Sequence, residues 1–368
     1  MRPDPKTVAA IVLILGLVLV GCRTSAQEPA VEVHAGSPLL LAKVMGRQRL
    51  VYELHVTNIS DAPVELTALD VLDDSGKSFL HLEQKALGTR TDTKEGHSVL
   101  AAHAQAVVYL TVDLDTTTPM AIQHRLTVKQ GGAESVIAGP RVPVVATEGP
   151  VLAPPLRSGP WVAIYNDDWP RGHRRVFYET DGDARLPGRF AIDWMKVDAR
   201  GKTLRDDSGL ASSSLSYGAE VLAVADARVA AARDGITEAT RISDNHAHPH
   251  PDAAGNFISL ALEGGRFATY EHLRPGSLKV VEGDHVRAGQ VIAEIGFTGD
   301  STEPHLHFHV SDSPSPLQGE GVPYALGRIR VLGRFQDWND LGVRRWQDVP
   351  PRIVDREFPQ GGDVVDFK

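Results

Sequence analysis

The chain has 368 residues, with 38 basic and 47 acidic side chains and a formal net charge of −9. That length predicts about two domains at roughly 100–200 residues each, and the acidic balance excludes the basic footprint that nucleic-acid binding requires. The one cysteine, Cys22, excludes an intrachain disulfide framework and any cysteine-built zinc ribbon or iron–sulfur centre.

At the N-terminus, Arg2 and Lys6 precede an apolar run from Val8 to Val20, interrupted only by Gly16. As a helix the run would extend about 20 Å, short of the roughly 30 Å of a bilayer core. It therefore reads as a secretory signal (residues 1–22) rather than a membrane span. Its end, Leu19-Val20-Gly21-Cys22, resembles the lipobox of bacterial lipoproteins. The resemblance implies cleavage before Cys22, lipidation of its thiol, and attachment to a lipid bilayer without crossing it. Arg23 follows, rather than the aspartate associated with inner-membrane retention, so the expected location is the periplasmic face of the outer membrane.

Residues 23–35 are small and polar and read as a tether. From 36 to 147 the pattern has period two: Leu50, Tyr52, Leu54 and Val56 alternate with polar or smaller neighbours, as do Val108, Leu110, Val112 and Leu114. Turn-type residues separate these runs, which predicts an immunoglobulin-like β-sandwich without catalytic residues. Residues 148–160 carry four prolines and read as a stiff linker. A second strand-rich domain is expected from 161 to 333, followed by a tail from 334 to 368. The expected class is all-β.

The chemistry concentrates in His305-Leu306-His307-Phe308-His309-Val310. In a strand, alternate side chains share a face, so the three histidines line one side while Leu306, Phe308 and Val310 enter the core. Imidazoles at that spacing can share a metal ion or divide metal binding from proton transfer. Tyr270-Glu271-His272-Leu273, Glu282-Gly283-Asp284-His285-Val286 and Gly296-Phe297-Thr298-Gly299-Asp300 lie upstream. The ordered series over residues 161–333 resembles the lysostaphin/LytM zinc endopeptidases. That resemblance implies a β-sheet, barrel-sandwich fold and a bound zinc ion (Zn2+). It also implies hydrolysis of peptide bonds in peptidoglycan crosslinks.

Carried over residue by residue, the resemblance makes His307 a zinc ligand, and His305 and His272 catalytic. Asp193, in Arg189-Phe190-Ala191-Ile192-Asp193-Trp194, takes the place of the aspartate ligand. The histidine expected four residues earlier is Arg189, which has no lone pair to offer a metal. His173, in Gly172-His173-Arg174-Arg175, is the substitute ligand. Arg189 is left to hold Asp193 or a substrate carboxylate. His309 is expected to orient a ligand histidine, and Tyr270 is a lesser candidate for polarising the scissile carbonyl. The alternative to a hydrolase is a wall-binding or regulatory module that keeps the fold without catalysis. The tract His246-Ala247-His248-Pro249-His250 reads as a solvated loop.

Overall fold

Period-two patterning produces strands along almost the whole chain. The computed structural model describes residues 30–367 except 37, 94–97, 115–116, 171, 181 and 251. Cys22 and the segment 1–22 lie outside the described residues. The expected tether ends earlier than 35, because Val31–Ala35 is a strand paired with Arg47–Asn58. Val31 and Val33 alternate with Glu32 and His34, a run too short to separate from a polar tether by pattern alone.

The N-terminal strands form two sheets. Leu39–Val44, Arg47–Asn58 and Gln105–Asp113 neighbour one another in one. Val64–Asp73, Ser78–Glu83 and Ala121–Gln130 do so in the other. Val142–Glu148 joins them, parallel to Leu39–Val44 and antiparallel to Ala121–Gln130. Inward side chains of both sheets, including Leu50, Leu54, Leu66, Leu69 and Leu126, share one buried core. A short helix, Gln84–Arg90, was not foreseen; with only Leu87 buried it leaves no apolar periodicity to read.

The second sheet is antiparallel throughout. Its central strands run in the order Ala227–Arg233, Asn256–Leu262, Arg266–Leu273, Leu306–Ser311, Ile192–Lys196, Ser158–Ile164, Asp363–Phe367, Ile329–Arg334, Gln347–Val354. One face buries Trp194, Tyr270, Phe308, Tyr324 and Val365. Two expectations change here. The segment 148–160 is packed rather than extended: Val151–Leu152 runs parallel to Ala325–Leu326, and Leu152 and Leu156 enter the core. Residues 334–368 are not a tail. Asp363–Phe367 lies between Ser158–Ile164 and Ile329–Arg334, bonded to both. Pro350 and Pro351 fall in Gln347–Val354, which ends the sheet order. On such an edge strand a missing N–H need not break a ladder bond.

The two domains meet through apolar and charged contacts. Ala42 and Val44 of the first domain join the core of the second. Glu53, buried at 4 % exposure, accepts from Arg189 Nε at 2.9 Å and from Arg174 Nε at 3.5 Å.

The C-terminal strand gives the first prediction. Val364, Val365 and Phe367 are buried, and each contributes about 1.5–3 kcal/mol. Together that rivals the roughly 5–15 kcal/mol stability of a typical domain. A chain ending at residue 360 is expected to lose the unfolding transition of the second domain in calorimetry while the sandwich, with its own core, still melts. A melt like that of the full chain would contradict the role assigned to this strand.

Candidate metal centre

The Leu306–Ser311 strand sends Leu306, Phe308 and Val310 into the core. His307 and His309, with His305 just before the strand, face the other way. Register then brings carboxylates to both sides of His307. Asp193 is its partner on the Ile192–Lys196 strand, and Glu271 its partner on the Arg266–Leu273 strand. Directly opposed residues in antiparallel pairs share a face. Accordingly, His307 Nδ1 lies 2.9 Å from Asp193 Oδ1. Glu271 Oε1 lies 3.9 Å from His307 Nε2 and 3.4 Å from His309 Nδ1. His309 Nδ1 is also 3.3 Å from His307 Nε2.

The alternation fails at one place. The Arg266–Leu273 strand shifts register against Asn256–Leu262, and His272 adopts φ +61°, a left-handed conformation that side chains other than glycine rarely take. Glu271 and His272 therefore both reach the site. Tyr270 does not. Its hydroxyl accepts from the Val224 N–H at 2.9 Å, and its ring packs on Phe308 in the core. Tyr270 is therefore a packed core aromatic, and its lesser candidacy for polarising the scissile carbonyl is corrected.

His173 comes from a 3-10 turn, His173–Arg175, rather than from the sheet. Its Nε2 lies 3.1 Å from Asp193 Oδ2, and its ring centroid 4.6 Å from that of His307. One potential ligand atom from each of His173, Asp193 and His307 lies within 4.8 Å of the others. The trios His272, His305, His307 and Glu271, His307, His309 meet the same criterion. Arg189 is elsewhere. Its guanidinium donates to Glu53 Oε2 at 2.9 Å, to Glu320 Oε2 at 2.7 Å and to the Gly321 carbonyl at 3.1 Å. The expected contact of Arg189 with Asp193 or with a substrate is thus corrected: two carboxylates already take up its charge.

Hydrogen bonds assign the protons. His272 Nδ1 lies 2.8 Å from the Thr298 carbonyl, and His305 Nδ1 lies 2.6 Å from the Glu303 carbonyl. A carbonyl only accepts, so both Nδ1 atoms carry hydrogen and Nε2 is the nitrogen left for chemistry. His305 Nε2 is 3.2 Å from Asp193 Oδ1. That approach is favourable when Nε2 is protonated as well. In keeping with it, burial lowers the pKa of His305, but Asp193 more than offsets this and raises it. Burial would raise the Asp193 carboxyl, yet His173 and then His305 hold it well below the ordinary range. Glu271 is pushed well above that range by burial and then by Asp193.

Over these residues lies a cleft of about 360 Å3, walled by Trp169, Tyr178, Ala253 and Leu317 and rimmed by Asp300. The loop 246–250 borders it. His248 Nδ1 is 3.2 Å from Asp300 Oδ1, and His250 lies beside the Tyr178 ring. None of its three histidines joins a metal-type group among the described residues. Glu271 was missed in the sequence because strand alternation places it opposite His272. Trp169, in a turn, and Tyr178, opening the three-residue strand Tyr178–Thr180, were missed because isolated aromatics carry no pattern.

An all-β sheet with a buried histidine–aspartate cluster at the floor of a cleft defines a metallohydrolase type of site. Residues 213–319 match the model of Peptidase family M23. The match includes Glu271, His272, His305, His307 and His309, whereas His173 and Asp193 lie upstream of it. Similar solved structures include a catalytic-domain variant of the prophage-encoded M23 protein EnpA from Enterococcus faecalis, at 16% identity, 48% of this chain, 93% of that one and TM-score 0.27. The catalytic domain of the antimicrobial peptidase lysostaphin from Staphylococcus simulans is similar at 20% identity, over 45% of this chain and 88% of that one, with TM-score 0.24. A zinc-containing peptidase from Vibrio cholerae is similar at 14% identity, over 76% and 81%, with TM-score 0.26.

The buried histidines set a pH dependence. Burial pushes His307 down to about 4, against the Asp193 hydrogen bond. Burial, and after it neighbouring histidines, also pushes His272 and His309 well below their usual 6.5. Between about 6.5 and about 4 the unfolded chain therefore holds more protons than the folded one, so stability falls as pH falls. His305 and Glu271, both raised, act in the opposite sense, two groups against the three lowered histidines. In the presence of a chelator, the melting temperature is expected to drop from about pH 7 to about pH 5, with a smaller drop in His307→Gln. A melting temperature that is flat across this window would contradict the neutral, buried assignment of these rings.

Proposed function

We propose that this protein is a zinc metalloendopeptidase that hydrolyses peptide bonds in peptidoglycan crosslinks, with His173, Asp193 and His307 as the zinc ligands. The observation that carries this reading is the convergence of those three side chains at the floor of the cleft. The donor set fits the metal. Two imidazoles and one carboxylate are ordinary zinc ligands, and three protein ligands leave a coordination position open, as catalytic sites require. His307 Nδ1 lies 2.9 Å from Asp193 Oδ1 and His173 Nε2 lies 3.1 Å from Asp193 Oδ2, so one carboxylate brings both imidazoles within reach of a single ion. Zinc, when bound, supplies Lewis acidity towards a carbonyl and brings the pKa of water towards about 7.

The remaining roles belong to the chain. His272 Nε2, with Nδ1–H fixed on the Thr298 carbonyl, accepts the proton of the attacking water. His305 Nε2 carries the proton that stabilises the developing oxyanion and then passes to the leaving amine. Glu271 and His309 brace the far edge of His307. Trp169, Tyr178 and Leu317 give the cleft apolar walls that suit an extended peptide. Lipidation at Cys22, read from the sequence, would hold the enzyme at a periplasmic membrane surface facing the wall. The alternative of a non-hydrolytic module drew its support from Arg189. Against it stands His173, which offers beside Asp193 the ligand atom that Arg189 lacks.

The purified chain is expected to bind stoichiometric zinc by elemental analysis and to lose it in His173→Ala and His307→Ala. Zinc retained in His173→Ala would overturn the ligand assignment. His272→Ala is expected to keep its zinc while losing about 10²–10⁴-fold in the release of amino groups from purified peptidoglycan. Full activity in that variant would remove His272 from the mechanism.

A further inference from the structure

His173 is the outlier among the candidate ligands. Asp193 and His307 sit on neighbouring strands fixed by ladder bonds. His173 sits on a single 3-10 turn in the loop between Ile164 and Tyr178, and the N-terminal sandwich supplies much of what holds that loop. Arg174, next to His173, is buried at 4 % exposure. Its guanidinium donates to the Tyr52 and Leu110 carbonyls at 2.9 and 2.7 Å and to Thr111 Oγ1 at 2.7 Å, all residues of the sandwich. Thr111 Oγ1 lies 2.8 Å from Asp167 Oδ2, in the same loop. Arg175 stacks over the Tyr109 ring at 4.8 Å.

Glu53 closes the arrangement. Its Oε1 takes Arg174 and its Oε2 takes Arg189. Arg189 belongs to a second 3-10 turn, Pro187–Phe190, which leads into the strand of Asp193. The two turns touch. A Cβ at Gly188 would lie 2.8 Å from the His173 carbonyl oxygen and 2.9 Å from its Cβ. One sandwich carboxylate thus bridges the turn that presents His173 and the turn that leads to Asp193.

We propose that Glu53 is a positioning residue for the metal centre: through Arg174 and Arg189 it sets the turn that presents His173, so the centre is complete only when the sandwich is docked. The inference rests on His173 being a zinc ligand, as read above. A ligand's supporting contacts typically control metal affinity by about 10–100-fold. A buried carboxylate shared by two guanidiniums fixes geometry more than it adds stability.

The test compares the purified full chain with Glu53→Gln, Arg174→Met, His173→Ala and the double variant Glu53→Gln/His173→Ala. Zinc affinity is measured by competition with a chromophoric chelator, and the coordination sphere by the visible spectrum of the cobalt-substituted protein. Glu53→Gln and Arg174→Met are each expected to weaken zinc binding by about 10-fold or more. Both are expected to move the cobalt spectrum towards that of His173→Ala. In the His173→Ala background, Glu53→Gln is expected to cost no further affinity, because its effect passes through the missing ligand. Glu53→Gln is close to isosteric and serves if Arg174→Met fails to fold. Wild-type affinity and spectrum in Glu53→Gln, alongside weak binding in His173→Ala, would overturn this inference alone. So would losses that simply add in the double variant. Unchanged zinc binding in His173→Ala would overturn the ligand assignment and this inference with it.

Discussion

Strand register is the constraint on which the site depends. Asp193, His307 and Glu271 lie abreast on three adjacent antiparallel strands. A one-residue slip in either pairing would turn His307 into the core and Phe308 into the cleft. What resists the slip is apolar. Phe308 packs edge-on against Tyr270 and Tyr324, and Leu306 and Val310 are fully buried beside it. The hydrophobic face of the sheet therefore does the positioning, and the polar face inherits the result.

The site also needs one departure from that regularity. A regular strand can present either Glu271 or His272 to the cleft, not both. The register shift and the left-handed His272 admit both, at a conformational cost of the order of 1–3 kcal/mol. The bond from His272 Nδ1 to the Thr298 carbonyl fixes the ring, and the buried Asn256 amide bonds the neighbouring Leu273 carbonyl. The departure sets a second imidazole, that of His272, beside His307 without lengthening the strand.

This pattern explains what could be read in the sequence. The alternation of His305, His307 and His309 with Leu306, Phe308 and Val310 is local, so period two alone indicated a shared histidine face. The all-β class followed from the same periodicity. Glu271 was passed over because a bulge leaves no mark in a single sequence. The partner of Arg189 was out of reach because it stands 136 positions away. The strands at Val31–Ala35 and Asp363–Phe367 were missed for a related reason. Each is five residues long, and its claim to be a strand rests on neighbours supplied by distant segments.

Arg189 and His173 are best understood together. The resemblance to zinc endopeptidases leads one to expect a histidine ligand where Arg189 stands. The guanidinium there extends away from Asp193 to Glu53, Glu320 and the domain boundary. His173 approaches Asp193 from the other turn, and its neighbour Arg174 reaches the second oxygen of Glu53. The two departures from the expected pattern therefore meet at one buried carboxylate. Burying Glu53 without its arginines would be costly, and either arginine without Glu53 would leave a buried cation short of its partner. Two guanidiniums from two turns can satisfy one carboxylate in few docking geometries. The charge that denies residue 189 a lone pair thereby fixes how the sandwich meets the sheet, next to the turn that carries His173.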